Sequence, residues 1–314
     1  MLTLKLDPIQ YPSKQFGIWR ILFGLFLTFY YVRLFPFATE LFSNKGALAN
    51  FPAIMSARTT FYPSWILAWD SPVLVKAILI ACILLSVCIM IGLRRRASAF
   101  ALWILIMWLY NRNLYADSPD YCFVNWLVFI LAFIPEGEKY AVRSEDPNWK
   151  MPQSFYWAAW IIISVGYMYA GTSKFKSGDS TWRNGMAMYY VLTTDTGRLS
   201  WYGSFFDNFP YAFFAATTWG VLFFQTTSPF IVPFRSLRLW WWLVITSMQL
   251  GILMFVNLPE VTLGMLLFHG LLWDPAWINQ LKESREFLAR TSTRFLGKVF
   301  LPPKAAGPQG QSPS

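Results

Sequence analysis

The stretch GYMYAGTSKFKSGDSTWRNG, residues 166–185, holds the side chains best placed for chemistry. It closes an uncharged run from Met151 to Ser173, which Lys174 and Lys176 terminate. Helical spacing sets Tyr167, Gly171 and Lys174 on one face, at i, i+4 and i+7, with Tyr169, Ser173 and Lys176 on a neighbouring stripe. Gly166, Ala170 and Gly171 are small, so a partner helix can approach closely there. A lysine at such a packed, partly desolvated helix end is usable as a general base. The competing reading is a lysine that ends a membrane helix and snorkels to the headgroups. Lys176 fits that second reading.

A second polar group comprises Asn111, Arg112, Asn113, Asp117 and Asp120. Asn125, Gln249 and Asn257 stand inside apolar runs, where polar side chains hydrogen-bond between helices. His269, the single histidine, reads as an interfacial or helix-capping residue, since one histidine cannot build a metal site alone. Cys82, Cys88 and Cys122 lie in apolar runs without CxxC spacing and read as small buried residues. No metal is expected. Ser-His-Asp sets, P-loops and glycine-rich dinucleotide turns are missing from the sequence.

The elements that must position these groups follow from composition. Hydrophobic residues are 56% of the 314 and charged residues 13%, where soluble domains carry roughly a quarter charged. The apolar residues come in long blocks, the mark of helices hydrophobic on all sides. The expected fold class is an all-α polytopic integral membrane protein, because helices satisfy their backbone groups within lipid. The net charge of +10 is dispersed between the blocks, so no nucleic-acid partner is expected. The partner is the lipid bilayer.

About eight spans are predicted, near residues 16–37, 72–93, 97–115, 120–135, 153–174, 208–228, 238–257 and 260–274, with the fourth and eighth short. Arg20 and Arg33 sit near the ends of the first, where long side chains can snorkel. Trp240, Trp241 and Trp242 open the seventh where an aromatic belt is expected, and Trp273 and Trp277 end the eighth similarly. Most basic residues fall on segments that are cytoplasmic if both termini are. Residues 1–15 then form a cytoplasmic segment, 16–274 the transmembrane domain, 275–300 a basic amphipathic helix on an anionic leaflet and 301–314 a disordered tail. Residues 38–70 and 175–207 lie outside the membrane, the latter with an amphipathic interfacial piece, WRNGMAMYYVL. The expected location is the cell inner membrane, with Lys174 facing outward.

With these motifs set out, YMYAGTSKFKSGDSTWRNGMAMYYVL resembles the AG-x-x-K … W-x-x-G … Y segment of the horizontally transferred transmembrane domain family. That family is related to the membrane part of vitamin K-dependent gamma-carboxylase. WRILFGLFLTFYYVRLF is similar to its first helix. IGLRRRASAFALWILIMWLYNRNLYADSPDYCFVNWLVFILAFIPEGEKYAV is similar to its G-L-x-x-R turn, following helix, R-N pair and P-x-G exit. The resemblance implies that Lys174 corresponds to the base that deprotonates vitamin K hydroquinone, on the matching side of the membrane. Ser173 stands where the carboxylase has a second lysine. Met248, Gln249 or Met254 stands where related sequences often carry histidine. With no long soluble portion after the last span, these departures argue against carboxylation of a protein. The sporulation-delaying protein B branch matches the chain's length better.

The expectation is therefore an outward-facing cleft bordered by Lys174, Tyr167, Tyr169, Asn111, Arg112, Asn113, Trp182 and Gln249. It would bind a quinone-like lipid, vitamin K hydroquinone-like by resemblance, or a secreted peptide. If the chain is an enzyme, its chemistry is carboxylase- or epoxidase-related, with Lys174 as base. The alternatives are a non-enzymatic accessory protein for maturation or export of a secreted peptide and, third, a transporter.

Overall fold

The computed structural model describes residues 11–47, 69–113, 121–278 apart from Ser144, Asp195, Thr196, Arg198 and Gly203, and residue 281. Among them every regular element is helical. Helix α1, Ser13–Leu34, follows Pro12 and continues through a 3-10 turn, Phe35–Phe37, into α2, Ala38–Phe42. Helix α3, Pro72–Ile91, starts on a Ser71 hydroxyl that accepts from the Leu74 amide and ends on Gly92 at φ 75°. A proline just inside the start and a left-handed glycine just past the end are the favoured stops. Then come α4, Arg95–Arg112; α5, Tyr121–Phe133; and α6, Gln153–Lys176. Two short helices follow, α7, Ser180–Arg183, and α8, Ala187–Thr193. The chain closes with α9, Tyr211–Ile231; α10, Arg235–Phe255; and α11, Pro259–Leu271.

A helix overlaps each of the eight expected runs, with α5 and α11 only 13 residues long. They pack as a closed bundle, α1 on α3, α3 on α4, α4 on α5, α5 on α6, α6 on α9, α9 on α10 and α10 on α11. Helix α11 also meets α1 and α5. Ser13–Phe42, Pro72–Ile91 and Arg235–Phe255 are long and apolar enough to cross a membrane, and Phe123–Phe133 and Thr262–Leu271 are shorter apolar helices. At 1.5 Å per residue the 13 residues of α11 reach only about 20 Å, short of the ~30 Å hydrocarbon thickness.

The outside of the bundle is apolar. Leu25, Phe29, Leu84, Ile161, Phe223 and Met254 are all exposed. The inside holds Arg20, Arg95, Arg112, Gln249 and His269, all buried. An apolar exterior around paired polar groups is the arrangement a helical chain needs in lipid.

Three arginines are buried in ion pairs, and one of them, Arg20, departs from the sequence reading. Arg20 does not snorkel; it is fully buried, and its Nε pairs with Glu138 Oε1 at 3.0 Å. The same carboxylate oxygen meets Arg95 Nε at 2.9 Å. Arg20 also donates to the carbonyls of Ile89, Met90 and Tyr140, and Arg95 to those of Leu131, Ile134 and Pro135. Two guanidiniums thus tie the ends of α3 and α5 to the 134–140 loop through one glutamate. The reason is chemical: carbonyls past a helix end lack intrahelical donors, and a five-donor fork satisfies several at once. Gly92 is required beside them, since a Cβ there would lie 2.8 Å from Ala141 Cβ and 3.1 Å from Arg20 Cζ.

Arg112 makes the third buried pair, its Nε donating to Asp70 Oδ2 at 2.8 Å and its Nη2 to the Ser43 carbonyl at 3.1 Å. Asn113 Nδ2 donates to the Leu41 carbonyl at 2.7 Å. The end of α4 thereby anchors the segment around α2.

The described residues divide into two units after Trp273. In the second, a turn places the Ala276 amide 2.9 Å from Asp274 Oδ1 and the Trp277 amide 3.0 Å from the Asp274 carbonyl. Most of the expected amphipathic helix 275–300, the tail 301–314, residues 1–10 and 48–68, and Asp117 and Asp120 lie outside the described residues.

Candidate functional site

Lys174 occupies the last turn of α6, where a cation complements the helix dipole. Its Nζ donates to Gln225 Oε1 on α9 at 3.0 Å and lies 5.2 Å from the centroid of the Trp182 ring. The lysine is half-buried and Gln225 is buried. Gly171, one turn earlier, sets this meeting. A Cβ at Gly171 would come within 3.0 Å of both Gln225 Cβ and the Thr226 amide nitrogen. Gly171→Leu is accordingly expected to wedge α6 from α9 and cost roughly 1–3 kcal/mol, read as earlier thermal unfolding in detergent with loss of the Lys174–Gln225 contact. Helix α9 is polar at this level, with Gln225, Thr226, Thr227 and Ser228 in succession. Pro229 lies four residues beyond Gln225 and removes the amide that the Gln225 carbonyl would otherwise accept.

Trp182 is held by its own chemistry. The α6 helix ends as Ser177 Oγ donates to the Lys174 carbonyl at 2.7 Å. Asp179 then caps α7, its Oδ1 accepting from the Thr181 amide at 2.8 Å. Those hydrogen bonds from Thr181 hold the exposed Asp179 carboxyl below the usual carboxylate range. The cap therefore acts above the ordinary carboxylate range and is lost as pH falls through the lowered value. After α7, Gly185 turns the chain at φ 82°, where an added Cβ would press to 3.1 Å on Ala215. Thr218 Oγ1 on α9 donates to the Gly185 carbonyl at 3.0 Å and accepts from the Met188 amide at 3.1 Å. The WRNGM segment is thus docked on the helix that supplies Gln225.

Tyr167 lies about 10 Å along α6 from Lys174, two helical turns away. Gln249 Nε2 on α10 donates to its hydroxyl at 2.8 Å. The hydroxyl also meets His269 Nε2 on α11 at 3.4 Å, while His269 Nδ1 contacts the Met265 carbonyl at 2.6 Å. A carbonyl only accepts, so Nδ1 carries the proton and Nε2 accepts from Tyr167. The chain of donors runs one way, from Gln249 through Tyr167 and His269 to Met265. This corrects the sequence reading of His269 as an interfacial or capping group: it is wholly buried, with Tyr167 of α6 and Trp241 of α10 against its ring. Trp241, expected in an interfacial belt, is also interior. It packs 5.8 Å from the Tyr167 ring and donates to Ser228 Oγ at 3.0 Å.

The structure therefore brings Lys174 to Trp182, and Tyr167 to Gln249. Tyr169 points away from both and is 74% exposed. Asn111 Nδ2 donates to the Met107 carbonyl of its own helix, and Asn125 Nδ2 reaches Met107 Sδ at 2.9 Å. Arg112 and Asn113 are committed to the α2 segment. The buried Asp70 carboxylate holds the Arg112 guanidinium there.

Gln225, His269 and Trp241 are the participants that spacing alone missed. The available signal for Gln225 was its place in VLFFQTTSPF, a polar side chain interrupting an apolar run as Gln249 does. Among the described residues no His, Cys, Asp or Glu cluster could hold a metal ion. The local chemistry is that of an amine poised between an amide and an aromatic face at a helix end. Compared with protein-family models, with curated proteins and with solved structures, the chain matches none.

Proposed function

We propose that this chain is an eight-span membrane protein that binds an amphiphilic, quinone-like ligand at the end of α6, with Lys174 as the proton-accepting group. The reading carries forward the resemblance to the horizontally transferred transmembrane domain family. Its main support is the placement of Lys174 Nζ, held by Gln225 at 3.0 Å and by the Trp182 face rather than extended into solvent. A planar ligand can stack on the half-buried Trp182 ring while its hydroxyl meets the amine. Extraction of the purified protein tests it: wild type should retain a quinone-class lipid, and Lys174→Met should not.

Both termini are proposed to be cytoplasmic, in a bacterial-type inner membrane, with Lys174 outside. Single-cysteine labelling of intact cells should reach Lys176→Cys and not Arg143→Cys, both exposed positions; the reverse pattern would overturn the orientation.

The second reading is an accessory role toward a secreted peptide. It is favoured by the aromatic shelf around the 3-10 turn Ser200–Tyr202, where Trp201 and Phe205 are exposed over a core of Leu192, Tyr202, Phe206 and Phe214. Under this reading Lys174→Arg is tolerated and a peptide partner co-purifies.

A further inference from the structure

At the arginine-rich end of the bundle, a cleft of about 500 Å³ opens between the start of α4 and the end of α5. Arg94, Arg96, Ala97 and Phe100 line one side, and Ala132, Phe133 and Glu136 the other. We propose that this cleft binds one anionic phospholipid, Arg94 and Arg96 holding its phosphate and Phe100 and Phe133 flanking an acyl chain. The inference rests on the membrane-embedded reading and is independent of Lys174.

Charge complementarity identifies the occupant. The rim carries two guanidiniums against the single Glu136 carboxylate. The layer behind it, Arg20, Arg95 and Glu138, again has two guanidiniums to one carboxylate. The positive excess sits at the end of apolar helices, where basic pockets between spans take anionic headgroups. The fork of an arginine matches phosphate oxygens in pairs.

Arg94 and Arg96 are also placed by the backbone. Arg94 holds a left-handed conformation, φ 43°, that non-glycine residues seldom adopt. Such strain recurs where a side chain is aimed for function. Arg96 Nε is fixed on the Ala132 carbonyl at 3.0 Å, and Glu136 Oε1 accepts from the Arg96 amide at 2.9 Å. The carboxylate thus caps the helix, and the guanidiniums line the cleft beside it. Phe100, just over one turn into α4, and Phe133, the last residue of α5, are both exposed beside the arginines. Two arginines and two phenylalanines lining one cleft match an amphiphile with a charged end and an apolar chain. A free anion would have no use for the apolar walls.

Native mass spectrometry of the full-length chain in detergent tests this with phosphatidylglycerol and phosphatidylcholine of identical acyl chains, and with glycerophosphoglycerol as free headgroup. Wild type is expected to hold one phosphatidylglycerol over phosphatidylcholine by roughly tenfold. Arg94→Gln/Arg96→Gln should erase that preference, and Phe133→Ala should weaken phosphatidylglycerol retention. Arg143→Gln/Lys150→Gln removes the same charge from exposed positions of the adjoining loop and should leave the preference intact. If the double variant fails to fold, Arg94→Gln alone should lower the preference about threefold. Equal retention of both lipids by wild type overturns the proposal. So does an equal loss in the loop control, which would mean diffuse charge attraction, or competition by glycerophosphoglycerol at lipid-like concentrations. Recovery of the wild-type chain from the aqueous fraction without detergent would instead sink the membrane reading itself.

Discussion

Replacing Glu138 with alanine is expected to destabilise the folded chain by about 3–5 kcal/mol, the range for breaking a buried ion pair from one side. The carboxylate is 1% exposed and serves two fully buried guanidiniums, so its loss leaves both cations without their countercharge. Their carbonyl partners at Ile89, Tyr140, Leu131 and Ile134 remain, but dipoles do not neutralise two charges. Thermal unfolding in detergent checks this directly. Glu138→Gln keeps an acceptor and should fall between alanine and wild type. Replacing Arg20, Arg95 and Glu138 together with apolar residues of similar size should recover much of the loss, because the desolvation cost disappears with the charges. An alanine variant as stable as wild type would mean that the cluster is solvated and the packing of α1, α3, α4 and α5 around it is wrong.

Lys174→Met is expected to remove function while leaving folding intact, since the lysine is half-buried at a helix end and its stem is matched by methionine. If Lys174 is a base, the loss should be about 10²–10⁴-fold, the usual contribution of a positioned acid-base group. Lys174→Arg should fail as badly, because a guanidinium retains charge and hydrogen bonding but does not give up its proton. Complementation of the deleted chain in its own cell reads both variants. Rescue by arginine would assign the site to charge recognition and favour the accessory role. Gln225→Leu, which removes the amide facing the amine, should weaken the phenotype less than Lys174→Met, for the amine itself remains beside Trp182.

Much of the fold is legible in the sequence because long apolar runs are punctuated by residues with backbone consequences. Pro72, Gly92, Pro152, Pro210 and Pro259 stand at or beside helix ends where the runs break. Gly171 was readable as a contact between helices, and it is one, against α9. What was not legible is which polar side chain turns inward. The runs are apolar on every face, so periodicity does not separate the buried side from the lipid side. Arg20 and Arg33 have similar positions near the ends of one run, yet Arg20 is buried on Glu138 while Arg33 reaches the exposed Glu260. Only the return of distant segments decides between them. His269 illustrates the same limit: its neighbours Tyr167 and Trp241 come from α6 and α10, far away in the chain. Arg112 looked available because its countercharge, Asp70, lies before the start of another helix.

The central claim, a ligand held against Lys174, is most directly tested by the amphiphiles that survive gentle purification. Wild type, Lys174→Met and Lys174→Arg would be purified in the same mild detergent, extracted with solvent, and their quinone and phospholipid fractions measured per mole of protein. The expected result is a quinone-class lipid in wild type, reduced at least about tenfold in Lys174→Met, with phospholipid unchanged in all three. Equal quinone content in wild type and Lys174→Met, or none in either, would contradict the account.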